Sequence, residues 1–462
     1  MIKLSEDMNT TKTYPALTSG NLWRNIWNIS WPIFLMMACN FLVGFTDVYV
    51  AGLISPDVQA AVGFISQMYF LIIILANALS VGVLAVVSRL IGAGELERAA
   101  EAGKQSLISG AAVAIVLSFI GLIFTQEIIA AAGFPREIRQ ISAHFLRIFA
   151  FALGPNYILI ISTALFRASG EVTRPLITMC IISILNIIGD FVLVFGFQQI
   201  PPMGYSGIAI ATALSMTAGM IINLIFLRFS TWQSLYRGTW KLVSGPFKKI
   251  ILIGAPAALL QIAWNAGSIV LYNILGRLGE KSIIAIASVT NGLRIEAIIY
   301  LPAFALNMAA AVLIGQNLGA GNQKRAEKIG WKISLSGTVL ISFMALVVFI
   351  HAPDYAALLT NNADVLEETT RYLRITMVSE PFMAMSIILA GCLQGAGDTK
   401  ATMWIIIVAM WFIRLPLALL LALVMNLGAT GVWFAMISSM IIQGILMTWR
   451  FRQGYWKTLR IS

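Results

Sequence analysis

A chain of 462 residues that is 59% hydrophobic and only 11% charged, with a mean hydropathy of +0.86, lies far outside the range of soluble globular domains. The composition predicts an integral membrane protein. Its net charge of +11 then reads as membrane topology and attraction to an anionic leaflet, so no nucleic-acid partner is expected.

Taken in chain order, residues 1–25 are polar and read as a cytoplasmic tail. The apolar run that follows is longer than the core of a signal peptide, so it is expected to stay as an uncleaved anchor. Stretches long enough to cross a hydrocarbon layer of roughly 30 Å as helix then recur, without the period-2 alternation of a membrane barrel. Twelve spans are predicted, at approximately 26–53, 58–87, 100–125, 139–167, 175–197, 204–228, 249–277, 281–313, 327–350, 366–393, 400–424 and 427–450. Residues 26–229 form a first lobe of six spans and 249–452 a second. Between them, 230–248 reads as a cytoplasmic linker, with Ser244-Gly245-Pro246 and several basic residues. Residues 453–462 form a cytoplasmic tail.

The two lobes are copies of one plan. SRLIGAGELERAA at Ser88–Ala100 returns as GQNLGAGNQKRAE at Gly315–Glu327, and the surroundings of Arg147 return at Arg374, both 227 positions on. Gly170 matches Gly397 at that offset, while Pro32 and Pro256, Gly204 and Gly428, and Gly207 and Gly431 match at offset 224. Duplication fixes architecture before any local reading does. The expected fold is an all-α integral membrane protein: twelve transmembrane helices in two six-helix lobes related by a pseudo-twofold axis along the membrane normal. Placing both termini and the even-numbered connections inside gathers most Lys and Arg residues on one side, including Arg89, Arg98, Lys249, Lys324, Arg325, Arg450 and Arg452. The opposite side receives Arg136, Arg139, Arg147, Arg277, Lys281, Arg371 and Arg374. This bias predicts a multi-pass inner-membrane protein with cytoplasmic termini.

Function is sought at ionisable residues inside the spans, because each costs about 2.5–3.5 kcal/mol or more there unless it faces a cavity or partner. Six qualify: Asp47, Asp190, Arg294, Glu296, Glu380 and Arg414. Helical spacing puts Asn40, Gly44 and Asp47 on one face, and likewise Asn186 and Asp190, so each carboxylate is expected to have an amide neighbour. Solvation at the outer interface is the bland account of Asp47. For Arg294, Glu296, Glu380 and Arg414 it is helix packing and mutual pairing, and Pro381 directly after Glu380 marks a helix break. At offset 224 Asp47 meets Leu271, Asp190 meets Arg414 and Thr212 meets Met436, so the acidic cluster belongs to the first lobe. The seventh span presents Gln261, Asn265, Ser268 and Tyr272 on one polar face. Asn40, Gln261, Asn265, Arg294, Glu296, Glu380 and Arg414 are the candidates for a central cleft. Cys39, Cys180 and Cys392 read as small packing residues. With two histidines and no cysteine cluster, neither a structural metal nor a cofactor is expected.

The chain resembles the multidrug and toxic compound extrusion family. The resemblance rests on Pro32 with Asp47, the Gly92-Ala93-Gly94 turn, LNIIGDFVLVFGF with PPMGYSGIAIAT at Pro201–Thr212, IGAPAALLQ at Ile253–Gln261, LIGQNLGAGNQKRA at Leu313–Ala326, and LQGAGDTK at Leu393–Lys400. It implies a monomeric transporter, not an enzyme, that exports amphipathic and often cationic organic compounds by alternating access in exchange for protons or sodium. In the prokaryotic branch the coupling cation binds residues that match Asp47, Asn186, Asp190 and Thr212, with sodium held at Asp47, Asn186 and Asp190. Another branch uses a glutamate in the seventh span and an aspartate in the tenth; here Trp264 or Asn265 and Met383 stand near those places, which argues against a second-lobe sodium site. The alternative on the same two-lobe architecture is a flippase for a lipid-linked precursor. A membrane-embedded enzyme is disfavoured, since neither His144 nor His351 is central in a span.

Overall fold

A computed structural model describes residues 17–131, 135–237, 240 and 244–459. Twelve of its helices are long and apolar enough to cross a membrane: α1 (Leu22–Ile54), α2 (Pro56–Gly92), α3 (Leu96–Ile123), α4 (Ile138–Ser169), α5 (Thr173–Phe195), α6 (Tyr205–Arg228), α7 (Phe247–Gly276), α8 (Gly279–Gly319), α9 (Gln323–Ile350), α10 (Ala363–Gly395), α11 (Thr399–Val424) and α12 (Gly428–Gln453).

Local chemistry sets the boundaries. Asn21 starts α1 by accepting the backbone N–H groups of Trp23 and Arg24 at 2.9 and 3.3 Å. Ser55 separates α1 from α2: it caps Val58 N–H at 3.2 Å, with Pro56 in the first helical position. The sharp turns after α2 and α8 need left-handed residues, supplied by Gly94 (φ +77°) and Gly321 (φ +75°). These two stand 227 positions apart, so the repeat seen in sequence is a repeat of backbone geometry.

Packing follows the same duplication. In the first lobe α2 packs on α4, α3 on α4, α4 on α6, α5 on α6 and α1 on α5. In the second, α8 packs on α10, α9 on α10, α10 on α12, α11 on α12 and α7 on α11, which is the same set shifted by six helices. Between lobes the main contacts are α1 with α8, α2 with α7, and α2 with α8. The first two are images of each other under the pseudo-twofold, and the third lies on the axis.

The lobes meet at one end and part at the other. At the end bearing the Gly94 and Gly321 turns, one apolar core draws on both lobes, including Ile29, Val83, Leu313 and Ile388. A Cβ on Gly92 would collide with the Gln316 carbonyl, and one on Gly319 with the Arg89 carbonyl, so the backbones of α2 and α8 touch there because no side chain intervenes. The segment before α1 crosses to the second lobe as a strap: the Asn317 amide donates to the Leu17 carbonyl at 3.2 Å, and Arg325 donates to the Ser19 and Gly20 carbonyls at 2.7 and 2.9 Å. At the opposite end each lobe has its own core. That of the first includes Val50, Ile65, Phe145 and Ile208, and that of the second Leu271, Val289, Met377 and Trp433. The molecule is a V closed at the glycine turns.

Several segments differ from the sequence expectation. Helix α1 begins at Leu22 and the strap at Leu17, both inside the stretch assigned to the amino-terminal tail. Within the expected 230–248 linker, Thr231–Tyr236 forms a 3-10 helix with Trp232 and Leu235 buried, and α7 is already helical by Phe247; residues 238, 239 and 241–243 lie outside the described residues. In the carboxy-terminal tail, Tyr455–Lys457 forms a 3-10 turn whose Trp456 stacks on Phe451 with ring centroids 4.7 Å apart. Apolar side chains explain all three, since each segment had a Leu or Trp to bury.

Candidate functional site

Three helices of the first lobe build the acidic site. Asp47 comes from α1, Asn186 and Asp190 from one face of α5, and Thr212 from the first turns of α6. Close approach of α5 and α6 is possible because a Cβ on Gly207 would fall 2.7 Å from the backbone of Leu193 and Val194. The Asn186 amide donates to Thr212 Oγ1 at 3.1 Å. Thr212 Oγ1 stands 3.0 Å from the Ile208 carbonyl and 3.5 Å from Asp47 Oδ2.

The remaining oxygens are the informative part. Asn186 and Asp190 are 0% exposed, Asp47 is half-buried, and the two carboxylates are near enough for their charges to act on each other. Asp47 Oδ1, Asn186 Oδ1 and both Asp190 carboxylate oxygens are enclosed without a hydrogen-bond donor. Four buried acceptors in one chamber violate the rule that enclosed polar atoms are partnered. Two ionised carboxylates in contact are also unfavourable in a low-dielectric interior. A proton shared by the pair, or a small cation among the four oxygens, relieves both problems.

Of the predicted set, the four residues that the family resemblance grouped lie together, whereas helical spacing had paired only Asn186 with Asp190 among them. Asn40 does not join them: it is exposed on α1, and the amide neighbour of Asp47 is Asn186 across the helix interface. Its distance along α1 from Asp47, about two turns, leaves it outside the chamber.

The second lobe holds a different cluster. Glu296 on α8 and Glu380 on α10 are both buried. Tyr372 OH donates to Glu296 Oε1 at 2.9 Å, while Tyr300 OH lies 3.2 Å from Glu296 Oε2 and 3.0 Å from Glu380 Oε1, joining the two acids. Arg414 is buried as well; its Nε donates to Ser439 Oγ at 2.7 Å, its guanidinium lies 5.2 Å over the Trp264 ring, and its charge acts on Glu296. Glu296 therefore has donors and a fixed cation, although Glu380 Oε2 is enclosed without a partner. Arg294, two residues from Glu296, is exposed and takes no part, as expected for side chains about 200° apart on a helix. The Glu380-Pro381 break is present: Met377–Ser379 is a 3-10 turn and the helix restarts at Glu380.

The polar face of α7 is mostly turned on itself. Asn265 donates to the Gln261 carbonyl at 2.9 Å and Ser268 to the Trp264 carbonyl at 3.0 Å. Sequence reading missed Tyr300, Tyr372 and Ser439. Tyr300 was detectable in principle, one helical turn from Glu296, whereas Tyr372 and Ser439 arrive from other helices. It also missed the π-helical stretch Val408–Arg414, whose extra residue per turn rotates Arg414 relative to a regular α11.

Two six-helix lobes of one plan, joined at one end and holding a buried acidic chamber in one of them, define the two-lobed class of membrane transporter. Within that class, the MatE family model matches residues 32–192 and again 256–420, one match per repeat, and the chain belongs to this family. It is 25% identical to a probable multidrug resistance protein NorM of Thermotoga maritima over 90% of this chain and 89% of the other. It is 22% identical to the uncharacterized transporter YisQ of Bacillus subtilis over 94% of each. Its fold superposes on a MATE crystal structure in the bent conformation with TM-score 0.85 at 21% identity, covering 95% of this chain and 96% of that one. The Vibrio cholerae transporter VcmN in its bent form gives 0.86 at 22% identity, covering 94% and 97%.

Proposed function

We propose that the chain is a secondary active multidrug efflux antiporter, exporting amphipathic and cationic organic compounds in exchange for protons or sodium by alternating access. The observation that carries this reading is the chamber of Asp47, Asn186, Asp190 and Thr212, where four enclosed oxygens have no donor. Family membership and the multidrug resistance names of relatives such as the Thermotoga protein support the substrate class.

In this mechanism a cation enters the chamber, offsets the charge of the two carboxylates and removes the penalty on their proximity. Asp47 on α1 is then drawn toward α5 and α6. Because α1 also packs on α8 of the other lobe, the cation has different affinity for different lobe arrangements, which is the condition for coupling. The basic residues around the glycine turns support placing that end and both termini in the cytoplasm, so the V opens outward. The flippase reading draws less support: Arg414 is committed to Ser439 and Trp264, and Arg294 stands apart from it.

The test is uptake of a labelled organic cation into proteoliposomes under a proton gradient alone and under a sodium gradient alone. One of the two should drive accumulation. Accumulation that ignores both gradients would refute antiport.

A further inference from the structure

The end bearing the glycine turns carries a cavity of about 980 Å³ between the lobes, open to solvent on one side. Both lobes line it: Arg89, Glu95 and Arg98 from the first, Lys249 and Gln323 from the second, with Lys457 from the carboxy-terminal tail. Two of these cations already have acids. Arg98 pairs with Glu95 at 2.5 Å and Lys457 with Glu327 at 2.9 Å. Arg89 and Lys249 have none: among the described residues no hydrogen bond or ion pair holds either side chain, and Arg89 Nη1 is enclosed without an acceptor. Glu101, the other acid in the wall, is exposed at the rim and its charge acts on Arg98.

An enclosed guanidinium nitrogen without an acceptor is costly. Arg89 lies in the last turn of α2, where the helix dipole favours a cation. The dipole accounts for the charge, but it gives Nη1 no partner and leaves the cavity and Lys249 unexplained. The pseudo-symmetric position shows what a filled version looks like. Residues 227 further on from Arg89 and Arg98 are Gln316 and Arg325, and beside them the backbone carbonyls of the Leu17–Gly20 strap accept hydrogen bonds from Asn317 and Arg325. On that side the donors have acceptor oxygens from the chain itself. On the cavity side Arg98, the counterpart of Arg325, pairs with Glu95, while Arg89, the counterpart of Gln316, has no acceptor.

We propose that this cavity binds a phosphate-bearing polar group, with Arg89 and Lys249 donating to its anionic oxygens and Gln323 and Thr458 supplying neutral donors in the wall. A guanidinium fork with a separate ammonium suits a phosphate ester better than a lone carboxylate, because a phosphate offers oxygens in several directions. Basic pockets between membrane helices on the side rich in Lys and Arg are where anionic lipid head groups bind. A free phosphate presents the same oxygens. Since the wall comes from both lobes, occupancy favours the arrangement in which this end is closed. The inference is independent of the first-lobe carboxylates.

The experiment follows thermal unfolding of the purified full chain in detergent while one of three probes is titrated: a short-chain phosphatidylglycerol, the matching phosphatidylcholine, or inorganic phosphate. The comparison is made for the wild type, Arg89→Gln, Lys249→Gln and, as a control, Arg98→Gln. Saturable protection by phosphatidylglycerol, absent with phosphatidylcholine and weakened about tenfold in Arg89→Gln and Lys249→Gln but not in Arg98→Gln, is the expected result and identifies a head-group site. Equal protection by inorganic phosphate with the same variant pattern upholds the chemistry and assigns the site to a free anion. Absence of protection in the wild type, or protection unchanged in Lys249→Gln, overturns the proposal; that variant removes a half-buried surface cation and keeps the fold if Arg89→Gln does not.

Discussion

The two lobes place opposite charges at equivalent positions. Asp190 and Arg414 stand 224 residues apart on matching helices, α5 and α11, and each faces polar groups from the helix that follows: Asp190 lies in one chamber with Thr212 of α6, and Arg414 bonds Ser439 of α12. The site of Asp190 holds the Asp47 carboxylate, the Asn186 amide and the Thr212 hydroxyl but no fixed cation, and four of its oxygens have no donor. Around Arg414, two tyrosines, a serine and an indole ring are in place, and Glu296 has a resident cation nearby. One scaffold therefore carries a site that needs a mobile positive charge and a cluster that has a built-in one. On the function proposed above, the difference places ion exchange in the first lobe and a wall of fixed charge in the second.

The largest expected effect breaks this comparison at its acidic side. Asp47→Asn and Asp190→Asn should each reduce gradient-driven transport more than tenfold while leaving membrane insertion intact, measured as dye efflux against expression level. Next, Arg414→Met should leave transport coupling detectable but lower stability by about 1–3 kcal/mol, the cost of leaving buried polar partners unsatisfied. Unfolding in detergent reads this loss, and Glu296→Gln added to Arg414→Met should recover part of it, since the two charges interact. A finer cut is Thr212→Val, which keeps shape and removes one oxygen from the chamber. It should weaken cation affinity about fivefold, the worth of one net hydrogen bond of about 1 kcal/mol, measured as the half-saturating ion concentration for transport. Smallest is Tyr372→Phe, which leaves Tyr300 on Glu296 and should cost about 0.5–1.5 kcal/mol in stability without altering ion dependence. A change of coupling ion in that variant would show that the second-lobe cluster takes part in exchange.

Much of this was legible without coordinates, for identifiable reasons. Hydropathy gives the twelve spans because helix is the self-satisfying way for a single segment to cross lipid, and duplication gives the lobes. Asp47 and Asp190 stand out because charge in a span is expensive, and the helical period puts Asn186 on the face of Asp190. What the sequence could not specify was contact between helices. Asn40 has the right spacing to accompany Asp47 yet is exposed, because neighbouring helices and not the α1 period decide which amide meets it. Tyr372 and Ser439 reach Glu296 and Arg414 from α10 and α12, and nothing local to either acid or base points to them. The π-helical segment before Arg414 changes side-chain direction without a distinctive residue. The strap at Leu17–Gly20 was hidden by its polar flanks, although Leu17 is buried.

The central claim is that the chamber shared by Asp47 and Asp190 takes up the coupling cation and the Glu296–Arg414 cluster does not. Equilibrium binding tests it most directly: proton uptake by the purified protein in lightly buffered detergent, alongside binding of radioactive sodium, for the wild type, Asp47→Asn, Asp190→Asn and Glu296→Gln. The account predicts saturable binding of one of the two ions in the wild type and in Glu296→Gln, and its loss in both aspartate variants. Binding that survives in the aspartate variants and disappears in Glu296→Gln would contradict it.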